Sequence, residues 1–264
     1  MICLQMKTKQ RLFIGTLSML YFGPCICLQS VAQDQFLSTS KNINPFYVFT
    51  EGGAAYMPNI GVNNYTVSGS FAGVPIGLSV SNLNISTDIG YDVVAGFGYS
   101  FNKNLALEFE GGYIANSIPS YSGSADLTVG GVSVLSASGV TVPLAGASIT
   151  QIPLSLNLVI SNPDLSFRPM VGIGFGVCPT TLNLGTYKWD LSTVGAGVYD
   201  IEMGSYSACP FMVKLKTGIG YSFTPNFDLG VRGYVNILTG SNFGGLQTDV
   251  YSVVGVNANL TIRF

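Results

Sequence analysis

The chain has no histidine, one tryptophan, and charge on only 9% of its 264 residues. Without imidazole it lacks both the commonest general base and the commonest metal ligand. Cysteine is sparse in the body of the sequence. Cys3, Cys25 and Cys27 sit near the N-terminus and leave only Cys178 and Cys209, too few for a cysteine metal cluster. Beyond the N-terminal segment no unbroken apolar run reaches the ~18 residues of a membrane helix, yet mean hydropathy is +0.43. Apolar residues are spread thinly among 33 glycines and many Ser, Asn and Thr. The formal net charge of −2 and the absence of basic clusters exclude a nucleic-acid partner. No cofactor is expected.

The first residues differ from the rest. Lys7, Lys9 and Arg11 precede the short apolar run "LFIGTLSMLYF", and "SVAQ" supplies small residues at Ser30 and Ala32. This is the pattern of a secretory leader over residues 1–32, cleaved after Ala32. Cys25 is preceded by Phe22, Gly23 and Pro24, which lack the Leu and small-residue lead-in of a lipidated cysteine. In an oxidising compartment the two remaining thiols, Cys178 and Cys209, are expected to form a disulfide closing the third long connection.

Residues 33–264 carry a repeat. "GYSFNKNLALEFEGGY" from Gly98 and "GYSFTPNFDLGVRGY" from Gly220 align without a gap, with Glu110 in one copy where Arg232 stands in the other. Apolar residues alternate on both sides of a short polar break, which predicts strand–turn–strand. A third short turn, "SNPD" at Ser161–Asp164, separates two more alternating runs. With one strand before and one after, the expected strands cover 46–57, 88–101, 104–115, 148–161, 165–177, 209–223, 227–239 and 250–264. Short turns alternate with long connections over 58–87, 116–147, 178–208 and 240–249, all rich in Gly, Ser, Thr and Asn. Eight amphipathic strands with this asymmetry predict an all-β fold: a transmembrane, antiparallel, up-and-down β-barrel with short periplasmic turns and long extracellular loops. A soluble sandwich would share the alternation. It would not gather Phe46, Phe101, Phe167, Phe223, Phe227 and Phe264 at one end of the strands, where an interfacial girdle belongs.

The stretches "GYSFTPNFDLGVRGY", "FRPMVGIGFGV" and "NLTIRF" resemble the OmpA-type eight-stranded outer-membrane barrel family over nearly all of residues 33–264. The resemblance implies bacterial outer-membrane localisation, contact with membrane lipid, and Phe264 as an assembly signal read by the barrel-assembly machinery. It also permits a surface-antigen role.

With aromatic residues outward, the strand charges face inward: Glu51, Asp92, Glu108, Glu110 and Asp228 against Arg168, Lys214, Lys216, Arg232 and Arg263. Eight strands leave a bore that side chains fill, so a packed network is expected, with Glu110 paired to Arg232 or Lys216. Gly96, Gly98, Gly172, Gly174, Gly176, Gly218 and Gly220 share the inward face and are expected to admit long arms from the opposite wall. "GIGFG" lacks the spacing and the following helix of a nucleotide loop. Asp92, Glu108 and Glu110 have the composition of a paired-acid site, but their basic neighbours favour a structural role. The loop acids Asp88, Asp126, Asp190, Asp200, Glu202 and Asp249, against Lys188 alone, make the outer face acidic. The sequence therefore predicts a non-enzymatic surface barrel that contributes to envelope integrity and presents loops for adhesion or interaction with a host or envelope partner. The alternative is a small outer-membrane pore.

Overall fold

A computed structural model describes residues 45–264 apart from 59, 64, 72, 163–166, 191–197 and 203. The leader expected over 1–32 and the Asp164 end of the third turn lie outside the described residues. Eight long antiparallel strands run back and forth: β1 (Phe46–Tyr56), β2 (Gly90–Ser100), β3 (Leu105–Ser117), β4 (Leu154–Ser161), β5 (Phe167–Val177), β6 (Phe211–Thr224), β7 (Phe227–Leu238) and β8 (Tyr251–Arg263). Each pairs with its neighbours in sequence, and β8 returns to β1 with Tyr47 opposite Arg263 and Tyr56 opposite Val254. The sheet is thereby closed into an eight-stranded barrel. Closure pairs the backbone groups that an open edge would leave bare in lipid.

Alternation decides which face each side chain takes. In β4, Leu154, Leu156, Leu158 and Ile160 are exposed, whereas Ser155, Asn157 and Val159 are buried. The outward set forms an apolar band, and rings crowd the short-turn end: Phe46 on Tyr99 at 5.0 Å, Phe167 on Tyr221 at 5.1 Å, and Tyr221 on Phe223 at 4.9 Å between centroids. Phe264 is 64% exposed there, and its backbone N–H donates to the Phe46 carbonyl at 3.0 Å. The first short turn is closed by the Asn102 side chain, whose Oδ1 accepts from the N–H groups of Asn104 and Leu105, each at 2.8 Å.

Three adjacent strands break at one height, at Ile152–Pro153, Cys178–Pro179 and Cys209–Pro210, because proline cannot donate to the ladder. The ladder survives through proline carbonyls, which accept from Gly112, Ile152 and Cys178. Above the breaks the wall continues as Ser148–Gln151, Thr180–Asn183 and Ser205–Ala208. The strand expected over 148–161 is therefore two segments.

The disulfide expected between Cys178 and Cys209 is not formed, and both thiols are free. Val177 lies opposite Phe211 and Thr180 opposite Ala208, so Cys178 falls across from Pro210. Alternation is not reset at the prolines: Cys178 is buried on the inner face, and Cys209 is exposed outside. A bulge would be needed to bring the two together.

The described parts of the first two long connections form β-structure. Ile60–Val62, Tyr65–Phe71, Val74–Ser86, Ser120–Val129 and Val132–Pro143 form a second sheet that joins the first two loops. The hairpin from 120 to 143 turns at Gly130 and Gly131, both with positive φ (62° and 80°). Side chains are disfavoured in that conformation.

The opposed thiols generate a prediction. In the folded barrel under non-reducing conditions, a membrane-impermeant maleimide should add once, at Cys209, while Cys178 reacts only after unfolding. Peptide mass mapping that finds a 178–209 cross-link, or equal labelling of both, would contradict the register.

Candidate functional site

The barrel interior is built in layers from the short-turn end upward. Lowest is Asp228 on β7. It accepts from Arg168 of β5 at 3.2 Å, from Arg263 of β8 at 2.9 and 3.0 Å, and from the Ser222 hydroxyl. Above it, Glu51, Glu108 and Glu110 meet Lys214, Lys216 and Arg232. Lys216 bridges Glu108 and Glu110, the latter at 2.9 Å, and Lys214 pairs with Glu110. Arg232 pairs with Glu51 at 2.7 Å and lies 3.6 Å from Glu108. The Tyr47 hydroxyl donates to Glu108 at 2.9 Å and the Ser155 hydroxyl to Glu110 at 3.0 Å. Asp92 stands apart, accepting from the Asn257 amide at 2.7 Å.

All ten charged residues named from the sequence thus face the lumen, but the structure couples them differently from one expectation. Glu110 does pair with Lys216. Arg232 turns instead to Glu51 and Glu108. The repeated hairpins share a different feature, since Gly96 lies opposite Glu110 and Gly218 opposite Arg232. Each copy sets a charged residue beside a glycine at the same step, so the copies are alike in geometry without being partners.

The glycines serve near neighbours rather than arms from the opposite wall. A Cβ at Gly98 would meet the Tyr47 ring at 2.1 Å, one at Gly96 the Phe49 ring at 2.5 Å, and one at Gly255 the Tyr234 ring at 2.4 Å. Each ring lies flat on the wall over its glycine and turns its other face to a cation. Arg263 sits 5.1 Å from Tyr47, Arg232 4.9 Å from Phe49, and Lys214 4.6 Å from Tyr234. Glycine, ring and cation form three stacked sandwiches, each adding a cation–π contact of ~0.5–2 kcal/mol depending on desolvation. Treating aromatic residues as outward-facing misses Tyr47 and Phe49. Their place in step with Glu51 along β1 is the signal that reveals them.

Toward the loops apolar side chains join buried Asn116, Gln151 and Thr180 in filling the bore. Met57, Met212, Leu238 and Val253 are fully buried and pack with Ile114, Ile149 and Cys178. This stopper lies between the ionic layers and the loops. With Glu108 and Glu110 each held by lysine, the acids in the lumen serve as acceptors in a closed network. Among the described residues no three His, Cys, Asp or Glu side chains converge as metal ligands.

Residues 52–264 match the model of the outer membrane protein beta-barrel domain. No curated protein matches the chain. Solved structures of similar shape include Neisserial surface protein A, at 14% identity and TM-score 0.46 over 83% of this chain and 97% of that one. Another is the outer membrane protease OmpT from Escherichia coli, at 11% identity and TM-score 0.43 over 86% and 99%. A third is the outer membrane protein OprG from Pseudomonas aeruginosa, at 15% identity and TM-score 0.39 over 84% and 100%. At these identities and scores they bear on neither ligand nor activity.

The layered pairs predict graded costs. Arg232→Met leaves Glu51 without its ion-pair partner in a buried layer, and should lower unfolding stability by about 3–5 kcal/mol. Arg168→Met leaves Asp228 with Arg263 near the barrel end, and should cost about 1 kcal/mol or less. Urea unfolding in lipid vesicles measures both; equal costs would contradict the layering.

Proposed function

The chain belongs to the outer membrane protein beta-barrel domain family, and from that premise we propose that it is a non-enzymatic surface barrel of the bacterial outer membrane whose loops engage another protein. The supporting observations are a lumen filled by interlocked charges and, beyond it, a loop sheet with an open edge among the described residues. Among the described residues, strand Val132–Pro143, "VSVLSASGVTVP", pairs on one side only, with Ser120–Val129, and ends the sheet order. It carries no charge, and Val132 and Val134 are 65% and 57% exposed. Natural edges are usually blunted by charge or proline. This edge is uncharged, and its first half, Val132–Ala137, ahead of Gly139 and Pro143, offers its backbone to an extended segment of a partner, which adds as a further strand. The ionic layers and the apolar stopper weigh against the pore reading, because conduction needs a continuous wet path.

The remaining expectations attach to the same picture. Export through the leader over 1–32 and recognition of Phe264 by the assembly machinery bring the barrel to the membrane. There the closed, charge-balanced cylinder contributes to envelope integrity. Of the acidic loop residues, Asp88 and Asp249 are exposed, and Asp126 accepts from the Ser133 hydroxyl at 2.6 Å. Partners with a basic or neutral face are favoured over anionic sugars and lipid phosphates.

Two measurements test the proposal. Purified barrel in planar bilayers should show no steady conductance. Replacing residues 120–143 by a short turn should leave the barrel folded while cells displaying it lose attachment to host-cell monolayers or to neighbouring envelope. Reproducible unit conductance that changes with Arg232→Met would overturn the sealed reading in favour of a pore. Undiminished attachment by the shortened variant would overturn the edge reading.

A further inference from the structure

All four long connections meet over the outer end of the barrel and line a partly open pocket of about 270 Å³. Leu83 and Ile85 come from the first, Ile118 and Leu144 from the second, Tyr206 from the third and Leu246 from the fourth. The floor belongs to the stopper itself, since Ile85 and Ile118 are members of its buried apolar cluster. None of the lining side chains is charged, and the hydroxyls of Tyr121 and Tyr206 are their only polar atoms. Close fit shapes one wall: Gly244, at φ +60°, sits so near the Tyr206 ring that a Cβ would fall 2.3 Å from it.

Apolar walls of this kind hold water weakly, because water needs several polar partners to stay. A cavity of roughly 150 Å³ with aliphatic walls already takes up benzene. The volume here lies just below the ~300–1,000 Å³ span of small-ligand sites. Charge selects further. A carboxylate or phosphate buried here would find no cation in the lining, and an unpaired buried charge is strongly disfavoured. The described loop acids Asp88, Asp126 and Asp249 add repulsion.

We propose that this pocket is a binding site for an uncharged, largely aliphatic small molecule, with the tyrosine hydroxyls meeting no more than a single polar group such as an alcohol. The site is distinct from the open edge strand, and either reading stands or falls without the other.

The test uses the full barrel in lipid nanodiscs with labelled Ile, Leu and Val methyl groups, titrated with 1-octanol and separately with octanoate. Octanol should produce saturable shifts at Ile85, Ile118, Leu144 and Leu246 while Val159, deep in the lumen, stays still. Octanoate should bind at least tenfold more weakly. Leu246→Trp and, independently, Leu144→Trp fill the pocket and should weaken octanol binding at least tenfold, with the Val159 signal reporting that the barrel is intact. If octanol moves lipid-facing Leu156 and Val231 as much as the loop methyls, it has only partitioned into the bilayer, and the site is refuted. Octanoate binding as well as octanol refutes the selectivity for uncharged guests. Should one tryptophan variant misfold, the other and the octanol–octanoate comparison still decide.

Discussion

The barrel depends on neutralising its own interior. A wall facing lipid on one side must place its charges on the other, and an eight-stranded bore has no room to hydrate them. Burying an ion without a partner costs several kcal/mol, so four of the five acids meet the five bases inside, and Asp92 accepts from the Asn257 amide instead. Three of each interlock in the middle layer, and Asp228 gathers two arginines below. Much else follows. Glycine recurs on the inner face so that Tyr47, Phe49 and Tyr234 can lie flat against the wall. Those rings back the same cations that the carboxylates face.

Side-chain direction was legible in the sequence because strand periodicity is two. Once Phe46 faces outward, Glu51 must face inward, and each of the ten lumen charges follows from the same rule. Pairing was not legible. Glu110 and Arg232 follow equivalent turns at equal heights, which suggests a couple. Yet β3 and β7 face each other across the lumen, and strand tilt brings Arg232 level with Glu108, at 3.6 Å, rather than with Glu110. Arg232 reaches Glu51 two strands away on β1, and Glu110 is met by the lysines of β6. The thiols show the limit of a spacing rule. Cys178 and Cys209 flank one connection, but parity sends them to opposite faces. The loop sheet was masked by composition, since Gly, Ser and Thr dilute the apolar alternation. "VGGV" at Val129–Val132 was its one strong signal, a two-glycine turn between alternating runs.

Side-chain chemistry separates by height. Charge lies in the lower lumen, where it fills and stiffens the cylinder. Apolar packing around Met57, Met212 and Leu238 closes the top. The loops carry a sheet of their own, one edge of which has no strand partner among the described residues.

The most direct test asks whether water reaches the ionic layers. Ser155 is buried and donates to Glu110. Ser155→Cys, in a chain with Cys178→Ser and Cys209→Ser, places a thiol of similar size at that point. A charged methanethiosulfonate reagent should leave it unmodified in the folded barrel from either face of a bilayer and modify it after denaturation. Rapid modification in the folded barrel would show an open aqueous path, and would contradict the sealed, self-neutralised lumen.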